Sequence, residues 1–282
     1  LFGLKYMKVL DLFSGIGGFA LGLEAAGFET AAFCEIDPYA QKVLKKNWPG
    51  VPIYDDVRRI TADRLVSDGV GVDVITGGFP CQDISTAGTK SGLDGDRSGL
   101  WSECSRLLGE VRPRYAIFEN VTNLLTGDGG DWFKRVLWDI STVGYDAEWH
   151  CIPASAIGAH HHRDRVWILA YPNELGLEKH GYGESNEPFV NCEAIPNPSS
   201  KGLQGCQEAG NDGKDRQEPR NQLITGLGGV QGGVWEAEPN VGRVADGVPA
   251  RTHRLRCLGN AVVPQIPELI GRQIMEAERG RA

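Results

Sequence analysis

The sequence predicts an α/β fold, a doubly wound and mostly parallel sheet with helices on both faces, accompanied by a small irregular second region. Three observations predict it. From Val9 to Ala170, short β-rich runs alternate with stretches whose apolar residues recur at helical spacing. Several of those runs end in glycine- or acid-bearing turns, the edge at which such sheets hold ligands. After Tyr171-Pro172, Asn, Gly, Glu, Gln and Pro dominate through Gly233, and apolar residues are too sparse for a conventional core.

Taken in order, the strands are expected at Val9–Phe13, Thr30–Cys34, Val72–Thr76, Tyr115–Phe118, Ala147–Ile152 and Val166–Ala170. Helices are expected at Phe19–Ala26, Pro38–Asn47, Leu100–Glu110 and Trp132–Thr142. A last helix, Pro264–Glu278, places Ile266, Ile270 and Ile274 on one face, with Pro264 suited to its first turn, and is expected to return to the first domain. The boundaries that follow are 7–172 for the sheet domain, 173–238 for the irregular region and 239–282 for the returning segment.

Composition limits the function classes. The 282 residues, 41% hydrophobic and 23% charged, suit one large core plus a smaller lobe and exclude a fibre. Seven cysteines without a Cys-x-x-Cys pair argue against a disulfide framework and a zinc site, and point to a reducing cytoplasm. No apolar run reaches the length of a membrane span, and no signal-peptide pattern opens the chain, so no membrane partner is expected. Leu1–Tyr6 precede a natural start expected at Met7.

A formal net charge of −8 opposes nucleic-acid binding by the whole surface, so any DNA contact must come from a local basic patch. Arg163 with Arg165, and Arg251, His253, Arg254 and Arg256, are the candidates, with a solvated charged face as the alternative.

Four motifs carry chemistry. In Asp11-Leu12-Phe13-Ser14-Gly15-Ile16-Gly17-Gly18 a strand runs into a glycine-rich turn and a helix, which lets backbone N–H groups approach a nucleotide-type cofactor. A tight structural turn is the alternative. Glu35 follows at a strand end about twenty residues on, where a carboxylate accepts from both ribose hydroxyls. Asp56 falls at the next strand end and suits an adenine amino group, or else caps a helix.

Cys81, in Gly77-Gly78-Phe79-Pro80-Cys81-Gln82, follows a strand on the same edge and is either a nucleophile or an inert buried thiol. Glu119, in Phe118-Glu119-Asn120-Val121, closes another strand there and is either a proton donor for a ligand beside Cys81 or a solvated turn residue. His160-His161-His162 is not expected to bind metal, because adjacent side chains diverge and no matching ligand cluster lies elsewhere.

In identity and order these motifs resemble the cytosine-C5 DNA methyltransferase family. Asp11–Gly18 is similar to its cofactor loop, Pro80-Cys81-Gln82 to its nucleophile motif and Glu119-Asn120-Val121 to its acidic motif. Arg163-x-Arg165 and Gly259-Asn260-Ala261-Val262-Val263-Pro264 are similar to its arginine and C-terminal motifs. The likeness covers Met7 to Tyr171 and Arg254 to Glu278, and Gly242–Pro249 looks similar to phage-borne and prophage-borne members. His161 departs from the family, which usually has Gln there.

The resemblance implies an S-adenosylmethionine-dependent fold of the Rossmann-like kind, with S-adenosylhomocysteine as product. It implies a cofactor pocket of Phe13, Ser14, Gly15, Gly17, Gly18, Glu35, Ile36, Asp56, Val57, Pro80, Leu100, Asn260 and Ala261. Cys81, Glu119, Arg163 and Arg165 become the catalytic set, with Gln82, Ser85, Arg163, Arg165, Arg251 and Arg254 on DNA and Gln82–Arg97 as a mobile loop. Region 173–238 becomes the target-recognition region.

The implied partners are double-stranded DNA, bound by a monomer, and a cognate restriction endonuclease as a candidate. Three rivals stand beside this expectation: a tRNA cytosine-C5 methyltransferase, a non-catalytic DNA-binding relative, and an NAD oxidoreductase resting on the glycine loop alone.

Overall fold

A computed structural model of the chain describes residues 6–80, 99–173 and 251–281. Cys81, Gln82, Ser85, the expected loop 82–97 and nearly all of the expected target-recognition region lie outside the described residues, as does the side chain of Arg251.

Seven strands form one sheet in the order β3-β2-β1-β4-β5-β7-β6. They are β1 (Lys8–Leu12), β2 (Glu29–Cys34), β3 (Ile53–Tyr54), β4 (Val74–Gly78), β5 (Tyr115–Val121), β6 (Tyr145–Pro153) and β7 (Asp164–Pro172). β1 to β5 run parallel, whereas β7 enters antiparallel between β5 and β6. The chain winds outward through β1, β2 and β3, then restarts beside β1 with β4, so the order reverses between β1 and β4. The carboxyl ends of those two strands flank the crevice where such sheets bind ligands.

The helices are α1 (Gly18–Ala25), α2 (Pro38–Asn47), α3 (Ala62–Ser67), α4 (Leu100–Val111), α5 (Asn123–Thr126), α6 (Asp131–Thr142), α7 (Arg251–Asn260) and α8 (Gln265–Arg281). Period-2 alternation divides the strand residues between two cores. Leu10, Leu12, Ile75, Ala116, Phe118 and Ile168 face the side covered by α4 and α6, where Trp101, Leu107, Phe133 and Val136 are buried. Val9, Val74, Tyr115, Ile117 and Trp167 face the side covered by α1 and α8.

α2 begins where Asp37 Oδ1 accepts from Tyr39 N at 2.7 Å and Ala40 N at 3.3 Å, with Pro38 in the first turn. α8 lies against α1 at very close range, because Gly22 faces the Pro264 carbonyl and Gly271 faces Leu23 and Ala26.

Several boundaries differ from expectation. β4 starts and ends two residues later than the alternation suggests, because Gly77 and Gly78 continue the ladder opposite Phe118 and Glu119. Phe13 leaves β1 with φ 53°, a left-handed conformation that ends the strand. β3 is only two residues long and α7 has no apolar stripe, so neither leaves a periodic signal. No helix among the described residues is long and apolar enough to cross a membrane.

Candidate active site

The glycine loop is fixed by its first polar residue. Ser14 Oγ donates to the Asp11 carbonyl at 2.6 Å and accepts from Cys34 N at 3.2 Å, joining the end of β1 to the end of β2. Gly15 and Gly17 then take φ of 56° and 89°, which side-chain-bearing residues rarely adopt. Gly17 lies under the Trp48 ring and Gly18 against Val262, so neither position has room for a side chain.

Glu35 closes the loop from β2. Its Oε2 accepts from Gly15 N and its Oε1 from Asp37 N, both at 2.7 Å. Burial raises the Glu35 carboxyl above its ordinary range, while the Gly15 and Ile36 amides and Arg256 pull it down. The carboxylate keeps acceptor capacity beyond these amides. Ile36 beside it is 73% exposed, an apolar ledge next to a polar cradle.

Asp56 Oδ1 accepts from Arg58 N at 3.0 Å and caps a single tight turn at Val57–Arg59, while Val57 is buried. The donor set fits an adenosine cofactor: a two-oxygen acceptor for a diol, a second acid one strand over, and apolar Phe13 and Ile36. At Gly15 there is room, since no atom of the described residues lies within 4 Å of where its Cβ would stand.

A second cluster forms where β4 and β5 end together. Glu119, 8% exposed, accepts from Arg165 Nε at 2.9 Å. Burial raises its carboxyl above the ordinary value and outweighs Arg165 and Arg163, which lower it. Gly78 stands opposite Glu119 in the ladder and leads through Phe79 and Pro80 to Cys81. Phe79 packs on Trp101 with centroids 5.0 Å apart, and Leu100 opens α4 beside it.

The arginine pair divides. Arg165 turns to Glu119, whereas Arg163, at φ 41°, donates to the Gly259 carbonyl from Nη1 and to the Ala261 carbonyl from Nη2, both at 2.8 Å. The flanked residue, Asn260, is exposed. Among the other basic residues Arg256 pairs with Asp37, His253 stacks on Tyr39 at 5.3 Å, and Arg254 is exposed.

Two residues of the site escaped the expectations. Asp11 is fully buried and accepts from Thr76 Oγ1 at 2.7 Å, which joins β1 to β4 at the switch point, and burial pushes it up to about 7. Its Oδ2 finds no partner among the described residues. Asn120 Nδ2 donates to the Phe79 carbonyl at 3.3 Å and its Oδ1 accepts from Val121 N, so it steadies the approach to Pro80. Both lie inside recognised motifs, but only the strand order shows what they join.

Residues 7–222 match the family model of the C-5 cytosine-specific DNA methylases. The chain belongs to that family. Among curated relatives of this chain, the type II methyltransferase M2.BsuMI of Bacillus subtilis (strain 168) is 42% identical over 168 residues, 58% of this chain and 42% of the relative. The type II methyltransferase M.CviJI of Paramecium bursaria Chlorella virus IL3A is 36% identical over 173 residues, 61% of this chain and 45% of the relative.

The chain thus spans less than half the length of these relatives. Among solved structures, a prophage-encoded E. coli protein described as a DNA modification methyltransferase is 28% identical. It has a TM-score of 0.53, covering 61% of this chain and 48% of that one. Entamoeba histolytica methyltransferase EhMeth, at 20% identity and TM-score 0.52 over 65% and 57% of the two chains, shows the same fold.

Proposed function

We propose that this chain is an S-adenosylmethionine-dependent DNA (cytosine-5-)-methyltransferase that acts on a flipped cytosine through Cys81. One observation carries the reading: Glu119 is buried, ion-paired to Arg165, and set opposite Gly78, three residues before Cys81. A held carboxyl at the strand end that leads in sequence to Cys81 supports the reading.

Cytosine C5 is a weak nucleophile. Addition of the Cys81 thiolate to C6 places the electron pair on the C4–C5–N3 system, and a protonated Glu119 hydrogen-bonds N3 as charge develops there. Its raised pKa suits that role. Arg165 keeps the carboxyl oriented. The bound cofactor supplies an electrophilic methyl group on a sulfonium. After transfer, a base takes the C5 proton, the C6–sulfur bond breaks and the thiolate returns.

Phe13, Glu35, Ile36, Asp56 and Val57 would hold the adenosine, and Pro80, Leu100, Asn260 and Ala261 the methionine end. A duplex hides C6 inside the stack, so the base must leave it, and Gln82, Ser85, Arg251 and Arg254 are proposed to hold the strand around it. Region 173–238 would then read sequence. Duplex DNA is favoured over tRNA because the matching family model is that of DNA methylases and the prophage-encoded neighbour is described as a DNA modification methyltransferase. A monomer acting in the cytoplasm, with a cognate restriction endonuclease as candidate partner, completes the proposal.

The test uses unmethylated genomic DNA, tRNA and labelled S-adenosylmethionine, with nucleosides analysed after digestion. Label in 5-methyldeoxycytidine, absent with Cys81→Ser, is expected, while label only in tRNA would move the assignment to the RNA rival. DNA synthesised with 5-fluorocytosine throughout should trap the protein, because fluorine cannot leave C5 as a cation. Peptide mapping that finds the adduct on another cysteine would overturn Cys81.

A further inference from the structure

We propose that Arg163 is a positioning residue for the cofactor, gripping the segment that carries Asn260 and Ala261. The inference rests on the cofactor reading above and assigns Arg163 a different task from Arg165.

Two residues apart on a strand, the arginines would point to the same side. Their bonded partners nonetheless differ, and Arg163 stands just before β7 with φ 41°. A non-glycine residue held left-handed is strained, and such strain persists where the surroundings hold it in place. What holds it here is a planar fork. Two nitrogens of one guanidinium reach the Gly259 and Ala261 carbonyls at 2.8 Å each.

Those carbonyls lie at the carboxyl end of α7, where helix carbonyls lack intrahelical partners and the helix dipole is negative. Arg163 satisfies both. Asn260 is thereby clamped between two fixed peptides, and the chain continues with Val262 packed on Gly18 and the Pro264 carbonyl packed on Gly22. The clasp therefore sets the C-terminal motif against the glycine loop.

A second anchor acts on the ribose side. Arg256 of α7 pairs with Asp37, whose own amide donates to Glu35 Oε1. His253 stacks on Tyr39 of α2 with an interplanar angle of 21°. Burial lowers the Arg163 pKa, as expected of a guanidinium turned from water into the protein.

The experiment measures S-adenosylhomocysteine binding by calorimetry, without DNA, for wild type, Arg163→Lys and Arg165→Lys. A lysine keeps the charge but cannot span both carbonyls, so Arg163→Lys is expected to weaken binding about ten-fold, a cost of about 1.4 kcal/mol. Arg165→Lys should stay within about two-fold, because its guanidinium serves Glu119. In steady state Arg163→Lys should raise KM for S-adenosylmethionine more than it lowers kcat.

DNA binding of Arg163→Gln, which removes the charge, should keep the wild-type salt slope. Unchanged cofactor affinity, or a salt slope that falls by about one, the loss of one phosphate contact, would overturn the assignment. Thermal melting checks folding, and if Arg163→Lys does not fold, Asn260→Ala and Arg256→Gln must each weaken S-adenosylhomocysteine binding or the clasp is rejected. A wild-type protein that binds no S-adenosylhomocysteine would reject the cofactor reading itself.

Discussion

Gly78 and Glu119 are partners in the β4–β5 ladder, and a methyl group on Gly78 would stand 3.1 Å from Glu119 Oε2. The other oxygen is held by Arg165 at 2.9 Å, so the carboxyl has little freedom to move aside. The glycine therefore leaves room for an acid at the strand end that leads in sequence to Cys81.

Gly78→Ala is expected to lower the methyl-transfer rate about ten-fold while S-adenosylhomocysteine affinity stays near wild type, since the Glu35 cradle is untouched. Single-turnover kinetics with calorimetry would show the split. Normal turnover would mean that the carboxyl tolerates displacement.

Asp11 makes stability depend on pH. Its folded value of about 7 lies above the ordinary 3.8, so the folded state binds the extra proton across that interval. Stability contributed by the protonated carboxyl is complete below the ordinary value and is lost as pH rises toward 7, by an amount on the order of a few kcal/mol. Asp11→Asn keeps an acceptor for Thr76 and cannot ionise. Its urea midpoint is expected to fall less than that of wild type between the ordinary carboxylate range and neutrality, and parallel pH curves would refute the assignment.

Gly22→Ala should destabilise the fold although alanine is the better helix former. A Cβ at Gly22 would meet the Pro264 carbonyl at 2.1 Å and Pro267 Cγ at 2.8 Å, which forces backbone apart. Steric strain of about 1–3 kcal/mol exceeds the helix-propensity gain of about 1 kcal/mol. Gly280 of α8 has open space around it, so Gly280→Ala serves as the control and should be neutral or slightly stabilising. Equal urea midpoints for the two variants would contradict the close α1–α8 contact.

Local pattern determined the fold class and the edge on which the site lies. Near-continuous apolar runs in Val9–Leu12 and Tyr115–Phe118 mark strands covered on both faces, and those strands run directly into Phe13 and Glu119. Such signals survive because side-chain direction along a strand depends only on the next few residues. Tertiary structure decided the rest. That Gly77 and Gly78 belong to β4, that Asp11 meets Thr76, and that Arg163 serves Gly259 and Ala261 while Arg165 serves Glu119 all depend on which strands become neighbours. The Arg163–Ala261 contact joins residues 98 positions apart, and a contact at that separation leaves no period in the sequence.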